Sequence, residues 1–481
     1  MLIRRLVRGI DDRVGAARFT RSALGKVFPD HFSFMFGEVA LYSFFALVGT
    51  GIYLSLFFEP SQREVMYQGS YQPMSNVPMT AAYSSALRIS FDVRAGLLVR
   101  QAHHWAALVF LAAIVAHLMR LFFTGAFRRP RDLNWTVGLT LFLLALANGF
   151  AGYSLLDDLL SGTGLRVGSA IALSIPVVGP WVVSLAFGGE FPTDEIIGRL
   201  FVVHVLIVPL AIGALLAVHL GLVWHQKHTQ FPGPGRTEHN VVGSRLWPRY
   251  AVKSVSLMFG TFAVLFALGG LVQINPIWLY GPYDPAKVTT SAQPDWYMGW
   301  LEGGLRLFPP WEVRFGWFEI PAVFFPGVAL PTLTFAVLYL WPFLERRVTG
   351  DRADHNLLCP PRSSPTRTAI GAGALTFYGV LFLAGGQDVF AVRFGLSVDQ
   401  LLVMFRAAVL IAPPLVGWVT YRVCRRSYTS PEGAPPEGAA SPGGAPPEEG
   451  AGDRVPSHRV TTTSAPRPTA TATSPSDTGP M

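Results

Sequence analysis

Residues 103–117 read HHWAALVFLAAIVAH and residues 204–219 read HVLIVPLAIGALLAVH, two apolar stretches that begin and end on histidine. His103 and His117 are 14 residues apart, and His204 and His219 are 15 apart. At roughly 100° and 1.5 Å per residue, either spacing returns a helical side chain to about the same face, about 21 Å further along the axis. Two such helices can clamp two flat, iron-centred groups at two depths, His103 facing His204 and His117 facing His219. A histidine inside an apolar span is expensive to bury and is a functional candidate by default. Imidazole is the usual axial ligand where haem carries electrons, and a second axial ligand leaves no position open for oxygen. Bis-histidine ligation of two b-type haems is the expectation, with all four histidines as iron ligands. His104 sits beside His103 but position 118 is leucine, so His104 is expected to pack or hydrogen-bond.

The 481-residue chain is 51% hydrophobic and only 14% charged, whereas soluble domains run nearer a quarter charged. Apolar runs long enough to cross a bilayer core of about 30 Å fall near 33–57, 102–124, 134–153, 197–224, 254–274, 321–343, 368–386 and 399–421. The fold class expected is an all-α integral membrane protein of about eight helices, the first four forming a di-haem bundle. The segment 167–187 is also apolar, but Pro176 and Pro180 interrupt it, which suits a surface or re-entrant element.

Charge orients the spans. Arg4, Arg5, Arg8, Arg13, Arg18, Arg21 and Lys26 precede the first span, opposed only by Asp11 and Asp12. Basic clusters recur after the second span (Arg120, Arg128, Arg129, Arg131), the fourth (Lys227, Arg236, Arg245, Arg249, Lys253), the sixth (Arg346, Arg347, Arg352) and the eighth (Arg422, Arg425, Arg426). The intervening loops are mixed or acidic, as with Asp157, Asp158, Glu190, Asp194 and Glu195. The positive-inside rule therefore places both termini in the cytoplasm. A net charge of +8 fits loops facing anionic lipid, so no nucleic-acid partner is needed to account for it. No cleavable signal peptide is expected, because the first apolar run starts late and is long enough to span. Cys359 and Cys424 both fall on the cytoplasmic side, where a disulfide is not expected.

Glycines repeat the histidine period: Gly37 and Gly51, like Gly138 and Gly152, are 14 apart. A macrocycle wedged between helices needs neighbours without side chains where it approaches. Small residues in spans also serve plain helix packing, but the shared period favours the haem reading. Haem propionates need cations at the membrane edges. Arg100, one turn before His103, Arg120, one turn after His117, and Arg199, just before His204, are the candidates. Arg120 is equally suited to be an ordinary anchor on the cytoplasmic side.

Together with GYSLLDDLLSGTGL at 152–165, PDWY at 294–297 and WHQKHTQFPGPGRTE at 224–238, these histidines and glycines resemble cytochrome b of the cytochrome bc1 complex. The resemblance covers about residues 20–420 and lies nearest the actinobacterial menaquinol:cytochrome c reductase type, which has aspartate at the second position of the four-residue motif. It implies quinol oxidation near the outer surface, in a pocket bordered by Tyr153, Pro294, Asp295 and Tyr297. One electron would go to a Rieske iron–sulfur subunit and the other across the two haems to a quinone on the cytoplasmic side, coupled to proton translocation. Asp295 would be the proton acceptor; its bland alternative is a loop acid that caps a helix or meets Arg306. A c-type cytochrome partner, menaquinone as the quinone, a homodimeric complex and a bacterial plasma membrane follow from the resemblance. For the cytoplasmic quinone site the candidates are His225 and His228, among basic residues that a membrane edge would attract in any case.

The chain departs from the family in having Leu156 where proline is usual, and its 15-residue spacing resembles that of cytochrome b6 and actinobacterial relatives. No cysteine precedes the first span to attach a further haem, and no CxxCH is present, so a c-type haem belongs to another subunit. The organisation expected is a cytoplasmic segment 1–30, a di-haem domain 31–230, a transmembrane domain 231–426 carrying PDWY, and a disordered Pro/Gly/Ser/Thr-rich cytoplasmic tail 427–481. Two other readings compete. A di-haem paralogue could work outside a standard bc1 complex. A secondary transporter could use the histidines for proton relay, but that leaves the matched periods unexplained. A haem–copper oxidase core would need further intramembrane histidines, which the later spans lack.

Overall fold

In the computed structural model, the description covers residues 16–429 except 190, 192, 288–292 and 317. The basic residues Arg4 to Arg13, Glu190 and the tail from 430 onward therefore lie outside the described residues. Eight helices among the described residues are long and apolar enough to cross a membrane. They are α1 (Phe32–Ser55), α2 (Gly96–Phe123), α3 (Asp132–Ser154), α4 (Ile196–Gln226), α5 (Leu246–Leu271), α6 (Phe325–Thr349), α7 (Pro365–Gly385) and α8 (Val398–Arg426). Each overlaps one expected run, within a few residues at most ends. Their exteriors remain apolar: Ile52, Leu210, Phe259 and Leu410 are all more than half exposed. An apolar shell around a partly polar interior is the arrangement that a lipid solvent selects.

α1 packs on α2, α3 on α4, and α5 against both α1 and α2, while α7 and α8 pair at the far side. Gly96 permits the tight entry into α2, since a Cβ there would stand 1.9 Å from the Ile89 carbonyl oxygen of the preceding helix, Ala81–Phe91. α4 holds one wide π-helical turn, Val203–Ile207, that ends two residues before Pro209. Proline lacks an N–H, so the hydrogen-bond ladder has to loosen there. Such a turn absorbs one extra residue, so the 15-residue spacing of His204 and His219 behaves like the 14 of α2.

The loops differ at the two ends of the helices. At the end that receives the N-terminal segment, the strand Val27–Phe28 pairs antiparallel with Ser244–Arg245. At the opposite end lie most of the elements outside the spans. Glu64–Met66 pairs with Pro78–Thr80, and the helices Ala81–Phe91, Leu159–Leu173 and Gly179–Phe187 follow. The interrupted segment 167–187 is thus a helical hairpin that turns at Ser174–Val178, with Pro180 in the first turn of its second arm. Neither arm is long enough to span a bilayer. Cys359 and Cys424 are both free thiols.

Candidate functional site

Two cavities, each of about 240 Å³, are stacked inside α1–α4. His103 and His204 line the one beside helix Ala81–Phe91, termed outer below, and His117 and His219 line the one beside the N-terminal segment, termed inner. Phe44, Phe110 and Ile212 belong to both walls, so they form the partition, with the two phenylalanine rings 5.9 Å apart.

The ring centres of His103 and His204 are 6.1 Å apart across the outer cavity, with planes at 76°. Thr50 donates its hydroxyl proton to Ala46 O at 2.6 Å, so its oxygen accepts from His103 Nδ1 at 2.8 Å. His204 Nδ1 donates to Asn148 O at 3.0 Å. Both rings are therefore protonated at Nδ1, which leaves the Nε2 lone pair for a metal. This is the usual device for fixing the tautomer of a ligating histidine. Metal–imidazole bonds run about 2 Å, and the ring separation accommodates two of them end to end.

The glycines receive these rings directly. A Cβ on Gly51 would meet His103 Cε1 at 3.3 Å, and one on Gly37 would meet His117 Cε1 at 3.3 Å. On Gly152 it would lie 2.4 Å from His204 Cε1, and on Gly138 3.5 Å from His219 Cε1. The 14-residue period of the glycines thus exists because each one seats the edge of one imidazole.

Arg100 is buried in the outer wall, with Nε donating to Ser90 Oγ at 3.0 Å and Nη2 lacking a partner. Arg120 lines the inner cavity with its guanidinium 4.1 Å over the Phe34 ring, an Nη2 bond to Thr229 Oγ1 at 3.3 Å, and Nε unpartnered. A buried donor left unmade costs about 1–3 kcal/mol. Two orphaned cationic groups, one per cavity, fit an anionic group such as a haem propionate. Arg199, expected beside the outer pair, is placed differently. It is not in either wall, because its guanidinium is held by Leu185 O at 2.7 Å and by Glu195 at 2.5 Å, on the hairpin side of α4.

Asp295, Tyr297 and Tyr153 all line the outer cavity, as does Leu156, while Pro294 lies just outside the lining. Asp295 Oδ1 is 2.8 Å from His104 Nε2, and Tyr297 donates to Oδ2 at 3.3 Å. Burial, then the neighbouring Asp295, push the Tyr297 phenol well above its ordinary value, so it stays a donor. Arg306 does not meet Asp295; it binds Glu302 and, at 3.0 Å, Asp388. The adjoining Asp158 caps helix Leu159–Leu173, accepting from Ser161 Oγ at 2.7 Å and Leu160 N at 3.1 Å. Its burial pushes the carboxyl up to about 6.

At the inner cavity the two histidine candidates separate. His228 lines it, and burial together with Arg120 and Arg131 pushes His228 down to about 4. His225 is exposed and is absent from the wall. Sequence reasoning missed Glu38, Thr50, Asn148 and Gly149. Gly149 is where a Cβ would stand 2.8 Å from the Tyr297 hydroxyl. Of these only Gly149 left a local signal, as a small residue one turn before Gly152.

Comparison with known proteins agrees with this geometry. Residues 108–282 match the family model described as cytochrome b(N-terminal)/b6/petB. The cytochrome bc1 complex cytochrome b subunit of Mycobacterium tuberculosis is 53% identical over 424 residues, covering 88% of this chain and 77% of that one. The subunits so named in Corynebacterium diphtheriae and Streptomyces coelicolor are 50% and 48% identical over 415 residues, covering 86% of this chain and 77% and 76% of theirs. A solved structure titled "Hyperthermophilic respiratory Complex III" shares the fold at a TM-score of 0.64 and 23% identity, covering 86% of this chain and 100% of that one. A multi-pass membrane chain with four histidines facing one another in pairs across two stacked cavities, and with these relatives, belongs to the cytochrome b subunits of the cytochrome bc1 complex, the electron-transferring membrane part of a quinol:cytochrome c reductase.

Proposed function

We propose that this chain oxidises quinol at its outer cavity and reduces quinone at its inner one, with electrons crossing the bilayer between them. The observation that carries the reading is the stacking of two histidine-faced cavities in one four-helix unit, with Asp295 on the wall of the outer one. His103 and His204 would hold the outer b haem, and His117 and His219 the inner. Haem bound there supplies one-electron carriage across the apolar interior. Arg100 and Arg120 would neutralise its carboxylates, and the four glycines keep the imidazoles seated.

Quinol oxidation needs a base close to the hydroxyl that loses its proton. Asp295 takes that proton; His104 and Tyr297, contacting its two oxygens, hold the carboxylate towards the cavity. Tyr153 and Leu156 shape the same wall, and Pro294 sets the entry to the segment. One electron leaves to a Rieske iron–sulfur subunit and onward to a c-type cytochrome subunit. The other serves quinone reduction at the inner cavity, where His228 remains a lining residue. Menaquinol is the substrate, and the complex is a homodimer in a bacterial plasma membrane with both termini cytoplasmic and protons moved outward. Residues 31–230 form the di-haem domain, and 231–426 carry the second transmembrane domain.

The test is a reduced-minus-oxidised absorbance spectrum of the purified complex, with haem counted against protein and menaquinol as reductant. Two b-type haems per chain, both reduced by menaquinol, support the reading. Folded protein without haem overturns it and returns the histidines to packing or proton relay.

A further inference from the structure

We propose that Glu38 is the acid that hands protons to quinone at the inner cavity, a role that rests on the reading of that cavity as a quinone-reducing site. Glu38 follows Gly37, the residue that seats His117, and its side chain lines the inner cavity. Three hydroxyls converge on its carboxylate. Tyr250 donates to Oε1; Ser254 Oγ donates to Oε2 at 2.5 Å, and Tyr42 OH to the same oxygen at 3.2 Å. Tyr42 and Ser254 also touch each other at 2.5 Å, so α1 and α5 are joined through this one acid.

A carboxylate at the edge of an apolar span is normally matched by a cation. Among the described residues, Glu38 takes part in no ion pair. The nearby acid Asp30 is different, since Lys253 binds it at 2.7 Å. Hydroxyl partners from two helices, and no cation, hold the Glu38 side chain in place. Its surroundings also suit a flat, weakly polar ligand. Tyr250 stacks on Phe28 at 4.5 Å between ring centres, His228 lies 4.8 Å from Phe28, and Phe34 forms another wall. Besides Glu38, the charged and titratable groups lining the cavity are His117 and Arg120 from α2, Arg131 ahead of α3, His219 from α4, Lys227 and His228 after α4, and Tyr250 from α5, while Tyr42 of α1 reaches Glu38 from outside the lining. Burial and its cationic neighbours keep His228 neutral, and Glu38 is the one carboxyl group among the described residues that line this cavity.

Reduction of one quinone takes two electrons and two protons, the electrons being those released by quinol oxidation at the outer cavity. For each proton the Glu38 O–H bond breaks and a quinone O–H bond forms. The carboxylate left behind is held by Tyr250, Ser254 and Tyr42 until water at the cytoplasmic face reprotonates it. A second cycle supplies the second proton, and quinol leaves.

The experiment uses the whole complex carrying Glu38→Gln, Glu38→Asp or Tyr250→Phe, with a short-chain menaquinone as the probe. Infrared difference spectra between oxidised and reduced quinone, haem spectra and steady-state turnover are recorded on each. The wild type is expected to show a carboxyl band that responds to quinone reduction. Glu38→Gln abolishes that band and slows quinone reduction by about 100-fold, the scale of a lost general acid, with both haems retained. Glu38→Asp restores part of the rate, and Tyr250→Phe shifts the band without removing it. A band that persists in Glu38→Gln, or quinone reduction at the wild-type rate in that variant, overturns the proposal. Should Glu38→Gln not assemble, an unmoved band in Tyr250→Phe overturns it equally. Failure of the unsubstituted complex to reduce menaquinone at all brings down the functional reading itself, and is told apart by appearing before any substitution.

Discussion

His104 Nε2 lies 2.8 Å from Asp295 Oδ1, a contact that ties the second span to a loop 191 residues further along the chain. The neighbouring His103 turns instead towards Thr50 and His204. Two adjacent residues on one helix point about 100° apart, so one faces the partner histidine and the other faces the PDWY loop. The outer cavity thereby acquires a carboxylate whose oxygens are both engaged and whose position is set by two elements.

Asp295→Asn keeps the shape of this wall and removes the base. Both b haems should remain, and quinol oxidation should slow by about 100-fold, measured as menaquinol-dependent reduction in the intact complex. Unchanged turnover would remove Asp295 from the mechanism.

His103→Ala deletes one of the two ligands in the outer cavity and touches nothing in the inner one. The purified variant should lose the outer haem and keep most of the inner, read by haem counting and difference spectra. Equal retention of both haems would sink the pairing of His103 with His204.

The glycines give a graded test. Gly152→Ala places a methyl 2.4 Å from His204 Cε1, whereas Gly138→Ala places one 3.5 Å from His219 Cε1, an ordinary contact. Overpacking of the first kind costs about 1–3 kcal/mol, and here it displaces a ligand. Gly152→Ala should therefore deplete the outer haem while Gly138→Ala leaves the inner haem near its normal content. The opposite ranking would show that these glycines serve something other than the imidazoles.

Asp158 links stability to pH. Its folded-state value, about 6, exceeds the ordinary 3.8. Between about pH 4 and pH 6 the folded chain holds a proton that the unfolded chain has already released. Stability therefore falls as pH rises through that window and levels off above it. The full effect is about 3 kcal/mol at roughly 1.4 kcal/mol per unit. Asp158→Asn keeps an N-cap acceptor and should flatten this part of the thermal-stability profile in detergent. Wild type and variant with the same slope from pH 4 to 6 would rule out the burial of Asp158 as its cause.

Much of the site was legible because its information is local. The eight spans follow from runs of apolar residues, and the histidine and glycine periods follow from helix geometry alone. Even the odd 15-residue spacing was visible, although what reconciles it with the 14 of α2 was not. That reconciliation is the wide turn at Val203–Ile207, prompted by Pro209, a property of the hydrogen-bond ladder. The placement of Arg199 was not legible, because its distance along the chain from His204 says nothing of its direction; Glu195 and Leu185 O hold its guanidinium. Nor does the sequence show that His228 lines the inner cavity while His225 is exposed.

The sequence by itself determined that this chain carries eight apolar runs long enough to cross a membrane, and two histidine pairs spaced about 21 Å apart along their helices. Both are matters of composition and of a helical repeat that any short window records. Only the tertiary structure decided that Gly51 seats His103 and Gly152 seats His204, that Thr50 and the Asn148 carbonyl set their tautomers, and that His104 meets Asp295. It also decided that Tyr250 and Ser254 turn towards Glu38, more than two hundred residues away. Those contacts join separate helices, and which faces meet depends on the packing of the whole bundle; no repeat within one segment encodes it.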